Sequence, residues 1–463
     1  MERIKSGHDR LDELLGGGLP ANGITLIIGH PGSGKTILAE QYLFHNARED
    51  RRGLYMTTVS EPFDKVLRYG QSLSFFDTDA IGTAIFYADL GEVVNRDGLA
   101  GVLDQTDLLL KEQQPTYIII DSFKALRSFA PDEASYRRFL HDLAGRLTAV
   151  AASVFWIGEY DGSQAADAPE FAVADAIIAL SAKRTGEREF RLLQVLKIRG
   201  SDFRTGEHTY RISSDGLDVF PRLADEFDDA NYELAVRRVS TGIPALDETI
   251  GDGYWPGAVT LIAGPTGAGK TLMGLHFLFH GADHGEPGVL ATFQEHPTQL
   301  ARISQGFGWD FASQDVHVLA RSAVDLYIDE WVYDLLAYID ETKARRVVID
   351  SLGDLLFASP DNIRFRELLR SLSQRLARRG ISLMMTHETA DLFRVTRLSE
   401  FGVSHIADNV VLLQYLRVQS EVKRALLVLK TRASHHHPGI RQFDIRPEGI
   451  VLGERFDSDQ DFA

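Results

Sequence analysis

The chain repeats itself. Residues 25–47 read TLIIGHPGSGKTILAEQYLFHNA and residues 260–282 read TLIAGPTGAGKTLMGLHFLFHGA, with matching positions 235 residues apart. The likeness extends upstream, where RIKSGHDRLDELLGGGLPANG answers to RVSTGIPALDETIGDGYWPGA. Downstream, YIIIDSFKAL pairs with RVVIDSLGDL, EFAVADAIIAL with FGVSHIADNVVLL, and LLQVLKIRG with LLVLKTRAS. A repeat this long holds several strands and helices of its own, so it is a domain rather than the single supersecondary unit of a solenoid. With 463 residues the chain has room for two such domains. The polar stretch RLADEFDDANYELAVRR marks the break and predicts a first domain over 1–222, a linker over 223–237 and a second domain over 238–463.

Within each half, short apolar runs rich in β-formers alternate with helical patterns. The first half shows Thr25–Ile28, Leu54–Thr58, Tyr117–Ile120 and Ser153–Ile157 as strands and Tyr136–Ala149 as a helix. This alternation predicts an α/β fold, a mainly parallel sheet covered by helices on both faces. The runs Ala176–Leu180, Phe190–Lys197 and His208–Ile212 are too closely spaced for helical crossovers and predict an antiparallel extension of the same sheet.

GHPGSGKT and GPTGAGKT both satisfy G-x-x-x-x-G-K-[ST] between an apolar strand and a helical run, the context that a phosphate-binding P-loop requires. Gly29, Gly32, Ser33 and Gly34 in one copy, and Gly264, Thr266, Gly267, Ala268 and Gly269 in the other, would present backbone N–H groups to phosphate oxygens at a helix N-terminus. Lys35 and Lys270 would meet the β- and γ-phosphate charge of ATP, and Thr36 and Thr271 would ligate Mg²⁺. Asp121 and Asp350, each closing an apolar strand, are the second metal anchors.

Hydrolysis also needs a group that orients or deprotonates water. The stretches TTVSEP and ATFQEHP nominate Glu61 and Glu295, which could equally cap the following helices. Glu159 and Glu388 close the next strands and suit a sensor of water or γ-phosphate, or are plain strand-end residues. Lys197 with Arg199, and Lys430 with Arg432, alternate along a strand and so point the same way. They are either solvated cations or arginine-finger-like groups aimed at a neighbouring subunit's nucleotide. His435–His437 precede Pro438 in a turn and lack the carboxylate or histidine spacing of a zinc site.

The formal net charge of −17 disfavours nucleic acid as a partner. The absence of cysteine excludes disulfides and thiol chemistry. No apolar run approaches the roughly 18 residues of a membrane span, and MERIKSGHDR is no signal peptide, so a cytoplasmic protein is expected.

Two P-loops, two IDS strand ends and two K-x-R strands together resemble the KaiC family of double-domain, RecA-like ATPases over essentially the whole chain. The resemblance implies two tandem RecA-like P-loop domains, a hexamer of two stacked rings, ATP and Mg²⁺ between subunits, and slow ATP hydrolysis. It further implies serine/threonine autophosphorylation in the second domain, signalling through a protein partner, and action in trans for Lys197, Arg199, Lys430 and Arg432. The chain also departs from the family. Where members carry a Glu-Glu pair, the first position here reads as Ser60 in one half and Gln294 in the other, leaving Glu61 and Glu295. Where clock members carry adjacent phosphorylatable residues, Ser404 and His405 stand here, against Val173–Ala174 in the first half. Ser404 is the phosphorylation candidate, with Ser399 behind it. Such differences would let one ring serve assembly or timing and the other signalling. Two other readings share the fold: a DNA-acting recombinase or ring helicase, and a nucleotide-gated scaffold with little turnover.

Overall fold

The computed structural model describes residues 2–58, 63–160, 168–223, 237–324, 326–359, 361–389, 405–418 and 421–456. The chain divides into two compact units, Met1–Arg222 and Leu223–Ala463. Of the stretch expected as a linker, residues 224–236 lie outside the described residues.

Each unit is built on a nine-stranded mixed sheet. The strands of the first are β1 (Ile24–Gly29), β2 (Gly53–Thr57), β3 (Ile85–Asp89), β4 (Tyr117–Asp121), β5 (Ser153–Gly158), β6 (Ala176–Thr185), β7 (Arg188–Ile198), β8 (Glu207–Ser213) and β9 (Gly216–Phe220). Their order across the sheet is β9-β8-β7-β6-β1-β5-β4-β2-β3. The second unit has β10 (Val259–Gly264), β11 (Gly288–Thr292), β12 (Val316–Ala320), β13 (Arg346–Asp350), β14 (Ser382–Glu388), β15 (Asn409–Val418), β16 (Glu421–Thr431), β17 (Arg441–Arg446) and β18 (Gly449–Arg455). Their order is the same, strand for strand. From β6 to β3 every pairing is parallel, and from β6 outward to β9 every pairing is antiparallel. This is the tandem RecA-like arrangement, with the antiparallel extension that the close spacing of the later runs predicts.

Both faces of the parallel region are apolar, so successive residues of one strand enter different cores. In β4, Ile119 joins Leu38, Tyr42 and Leu43 of helix α1 (Lys35–Asn46), while Ile118 and Ile120 join the opposite layer. That layer is formed by α2 (Gly91–Gln113), interrupted at Gly98, and α3 (Glu133–Ala149), which contributes Tyr136, Leu140, Leu143 and Leu147. The second unit repeats the plan. Helix α4 (Lys270–Asp283) covers Ile262, Leu290, Val348 and Met384. Helices α5 (Ile328–Thr342) and α6 (Asn362–Arg378) cover Leu261, Val289, Val347 and Leu383. Each such apolar side chain contributes roughly 1.5–3 kcal/mol on burial. The rigidity that results fixes the C-terminal ends of β1, β2, β4 and β5, where the candidate site lies.

Candidate functional site

Strand β1 delivers the chain to the P-loop, and Gly34 opens α1 in the left-handed region at φ 89°; Gly269 does the same for α4 at φ 102°. A residue with a Cβ would be strained there by about 1–2 kcal/mol. At Gly29 backbone and space both demand glycine, since φ is 154° and a Cβ would lie 2.2 Å from the Leu180 carbonyl oxygen. Neither α1 nor α4 has a side-chain cap or an acidic residue in its first turn. Two positively polarised helix ends are thus left for an external anion to complement.

The lysines at these ends are buried, Lys35 at 7% exposure and Lys270 at 8%. Lys35 Nζ donates to the His30 carbonyl at 2.8 Å, and Lys270 Nζ donates to the carbonyls of Gly264 and Pro265 at 2.9 Å each. Neither forms an ion pair among the described residues. Burial lowers both ammonium pKa values, opposed by Glu159 and then Asp121 at Lys35, and by Glu388 and then Asp350 at Lys270. The Ser33 hydroxyl is also buried with no partner among the described residues. A bare helix end, a desolvated cation with only neutral partners and an orphaned hydroxyl fit a polyphosphate.

The candidate metal positions are equally well formed. Thr36 Oγ1 donates to Asp121 Oδ2 at 2.8 Å, and Thr271 Oγ1 donates to Asp350 Oδ2 at 2.6 Å. A hydroxyl beside a carboxylate, with phosphates and water completing the shell, is how Mg²⁺ is usually held. No group of three His, Cys, Asp or Glu residues converges elsewhere among the described residues. A second hydroxyl steadies each aspartate, and it comes from different strands in the two units. Tyr55 of β2 donates to Asp121 Oδ2 at 3.0 Å, whereas Thr386 of β14 donates to Asp350 Oδ1. Burial raises the Tyr55 pKa and keeps that phenol a donor. In the first unit the antiparallel extension also holds the P-loop: Tyr210 Oη donates to the Ser33 carbonyl at 2.6 Å and Arg191 to that of Gly32 at 2.8 Å. Sequence reasoning missed Tyr55, Thr386, Tyr210 and Arg191. Their signal is a donor on a strand beside the one that carries the aspartate (Tyr55, Thr386) or on the antiparallel extension (Arg191 on β7, Tyr210 on β8), which is visible only once the sheet order is known.

The candidate acids differ in placement. Glu295 is half-buried, its Oε2 has no partner among the described residues, and burial followed by Asp350 raises its pKa. Beside it Gln294 Nε2 donates to Asp354 Oδ2 at 2.8 Å, an oxygen that also accepts from Ser351 Oγ at 2.6 Å. Glu388 closes β14 and accepts from Thr266 Oγ1 at 2.5 Å. Glu159 lies one residue beyond β5, exposed, with its carbonyl accepting from Lys124. Glu61 lies outside the described residues.

The pairing of the two acidic stretches needs correction. Thr57 pairs with Asp121 and Thr292 with Asp350, so β2 and β11 are in one register, and five residues lead from each threonine to a proline, Pro62 or Pro297. At that constant offset Gln294 corresponds in sequence to Val59, Glu295 to Ser60 and His296 to Glu61, residues 59–62 lying outside the described residues. The phosphorylation segment shifts likewise. Ala176 pairs with Thr25 and Asn409 with Thr260, so counting back along the sequence Ser404 corresponds to Phe171 and His405 to Ala172, not to Val173–Ala174. Ser404 and Ser399 lie outside the described residues.

The basic pairs sit at the ends of β7 and β16, just past a bulge. Ile177 faces Lys197 and Ile178 faces Val195, leaving Leu196 extra; Val410 faces Lys430 and Val411 faces Val428, leaving Leu429 extra. Arg199 and Arg432 each lie one residue beyond the strand. Lys197 donates to the Phe171 carbonyl at 3.0 Å, and Arg199 to Asp175 and the Ala172 carbonyl at 3.3 and 2.9 Å. Lys430 donates to the Ala407 carbonyl at 2.5 Å, and Arg432 to Asp408 and the His405 carbonyl at 3.2 and 3.4 Å. Both members of a pair thus reach one segment, as their alternation requires. The histidine triplet serves a turn, where the His437 N–H donates to the Thr249 carbonyl at 3.1 Å.

A family model described as "ATPase: KaiC" matches residues 4–224 and 239–456, both units with their P-loops. The chain belongs to the KaiC family of ATPases. It is 28% identical to the circadian clock oscillator protein KaiC of Picosynechococcus sp., over 98% of this chain and 90% of that protein. It is likewise 28% identical to the circadian clock protein KaiC3 of Synechocystis sp., over 98% of this chain and 92% of that protein. With the Nostoc sp. oscillator protein KaiC the identity is 26% over 98% and 90%. For a chain of this ATPase family, the two P-loops with their Thr–Asp pairs are the candidate ATP-binding sites. No described helix is long and apolar enough to cross a membrane.

Proposed function

We propose that this protein hydrolyses ATP as a cytoplasmic ring of six subunits, with Mg²⁺-ATP at the subunit boundaries, and that it signals through a protein partner. We further propose that the C-terminal unit phosphorylates Ser404. The observation that carries this reading is the repetition, in both units, of a desolvated lysine, a bare helix end and a Thr–Asp pair within one rigid sheet edge. When bound, Mg²⁺ would neutralise phosphate charge, held by Thr36 with Asp121 and by Thr271 with Asp350. Lys35 and Lys270 would bind the phosphates in exchange for their present carbonyl partners, and the glycine turns would orient the chain of phosphates. Support for action in trans comes from Arg199 and Arg432, whose side chains are 57% and 58% exposed and held by one backbone carbonyl and one carboxylate each. Reorienting onto a neighbour's phosphate would cost them only such partners.

A DNA-acting reading finds less support. Net charge is −17. The segments after Asp121 and Asp350 are a compact 3₁₀ turn, Phe123–Phe129, and a short helix, Leu352–Phe357. The test is incubation with γ-labelled ATP and Mg²⁺, following released phosphate, label on the protein and particle mass by light scattering. Phosphate release by a six-chain particle, with protein label lost in Ser404→Ala, is the expected result. Release without label would remove the autokinase, and a monomer that turns over fully would remove the ring.

A further inference from the structure

The segment that receives the first unit's basic pair has an anchor of its own. Phe171 and Ala172, whose carbonyls take Lys197 and Arg199, lie in a helix of only four residues, Glu170–Val173, with no side-chain cap. One helical turn does not hold its shape unaided. What fixes this one is Glu170, fully buried at its start. Glu170 Oε1 accepts from Tyr136 Oη at 3.0 Å and from Tyr160 Oη at 2.5 Å, while Oε2 has no partner among the described residues. Burial and then Glu170 itself raise the pKa of both phenols, so both remain donors. Both also come from elements that the sheet already fixes. Tyr136 belongs to α3, and Tyr160 follows Glu159 beyond the end of β5, its ring edge-on to Phe171 at 5.5 Å.

The second unit is built without these phenols. Helices α3 and α6 have the same length and the same aspartate N-cap, which puts Phe365 in the place of Tyr136. Strands β5 and β14 pair with β1 and β10 in one register, which puts Thr389 in the place of Tyr160.

We propose that Glu170 is a positioning residue for the first site: gripped by Tyr136 and Tyr160, it fixes the carbonyls that hold Lys197 and Arg199, and so the place from which Arg199 reaches a neighbour's phosphates. This rests on the reading of Arg199 as a group acting in trans. Among the described residues the hydrogen-bond partners of its guanidinium are the Ala172 carbonyl and Asp175 alone, so a loosened segment would spread the positions it starts from. A misplacement of about 1 Å made far from the chemistry can cost up to about 10²-fold in rate.

The test puts the change on one side of the subunit boundary at a time. All chains are full length and carry Lys270→Ala, so that turnover reports the first site. One set adds Lys35→Ala and can only supply Arg199; the other adds Arg199→Ala and can only receive it. With ATP and Mg²⁺, assemblies mixed from the two sets should release more phosphate than the sum of each alone. Tyr160→Phe in the supplying chains should lower that excess on the order of 10-fold, and so should Tyr136→Phe, which copies the residue of the second unit. Either change in the receiving chains should leave the excess as it was. Lost folding stability would lower turnover from either side, so dependence on the side separates positioning from a structural role. In the supplying chains Glu170→Gln keeps an oxygen for the phenols and should retain more of the excess than Glu170→Leu. An equal fall from both sides, no fall from the supplying side, or a fall accompanied by loss of particle mass in light scattering would each overturn the proposal. No excess from the parent mixture would instead overturn action in trans, and receiving chains that bind no nucleotide would overturn the ATP reading itself.

Discussion

Arg346 offers a stability prediction whose size follows from its contacts. It opens β13, the strand that ends in Asp350, and its side chain is 3% exposed. Its guanidinium donates to Glu286 Oε2 from Nε at 2.7 Å and from Nη2 at 2.6 Å. Nη1 donates to the carbonyls of Ser240 and Phe277 at 2.8 Å each, and the group lies 4.6 Å from the Phe277 ring centre. One side chain thus ties the entry segment, α4 and β13 together. In Arg346→Met both carbonyls lose a charged donor, at about 1.5–3 kcal/mol each. Glu286 is 39% exposed and turns to water, so the ion pair adds little. The total is about 3–5 kcal/mol, in the range for a broken buried pair. For a unit of about this size that lowers the midpoint by about 10 °C. The first unit is the internal control, because Tyr117 stands in the place of Arg346 and Arg51, over the Tyr117 ring, in the place of Glu286. Scanning calorimetry should show one transition moving and the other fixed, with Arg346→Lys falling between. A shift below about 2 °C, or an equal shift of both transitions, would refute the reasoning.

Three further outcomes are expected. Burial, against the Gly242 backbone and with His280 adding, holds His276 neutral with its pKa lowered to about 4, and its Nε2 accepts the Ile450 N–H at 2.9 Å. The folded pKa is below the unfolded one, so the second unit should lose up to about 3 kcal/mol as pH falls from 6.5 to 4; a denaturation series in which His276→Gln keeps the full slope would contradict this. Asp350→Asn should weaken nucleotide binding at the second site on the order of 10–100-fold with Mg²⁺ present, and an equal loss in chelator would separate Asp350 from the metal. If Arg432 acts on a neighbour, assemblies mixed from Arg432→Ala and Lys270→Ala chains should exceed the sum of the two alone, measured as phosphate release, whereas strict additivity would keep Arg432 within its own subunit.

Much of this molecule was legible because its parallel strands are continuous apolar runs flanked by helical patterns, and because a P-loop is a local motif whose spacing survives translation into geometry. The edge strands Ile85–Asp89 and Val316–Ala320 escaped the run criterion, being only partly buried and mixed in polarity. Gly216–Phe220 is a five-residue strand beginning at a glycine and carrying an aspartate. The grips on Asp121 and Asp350 could not be read from the chain. Tyr55 and Asp121 are 66 positions apart, and Thr386 and Asp350 are 36 apart; only the sheet order makes either pair neighbours. The slip at Ser60 and Gln294 had a plainer cause, since matching by shared glutamates ignored the register that the strands impose.

The extra residues Leu196 and Leu429 bear on which changes in length these strands tolerate. Both are largely exposed, at 41% and 38%, so their side chains matter little and many replacements should pass. Removing either one altogether would leave a regular ladder in which Lys197 still faces Ile177, or Lys430 still faces Val410, so the basic pair would keep its face of the sheet and lose only the local kink and extra twist. Losing a paired residue elsewhere in β7 or β16 would instead shift the register by one and turn the rest of the strand to the other face, so these two places are where loss of a codon should cost these strands least.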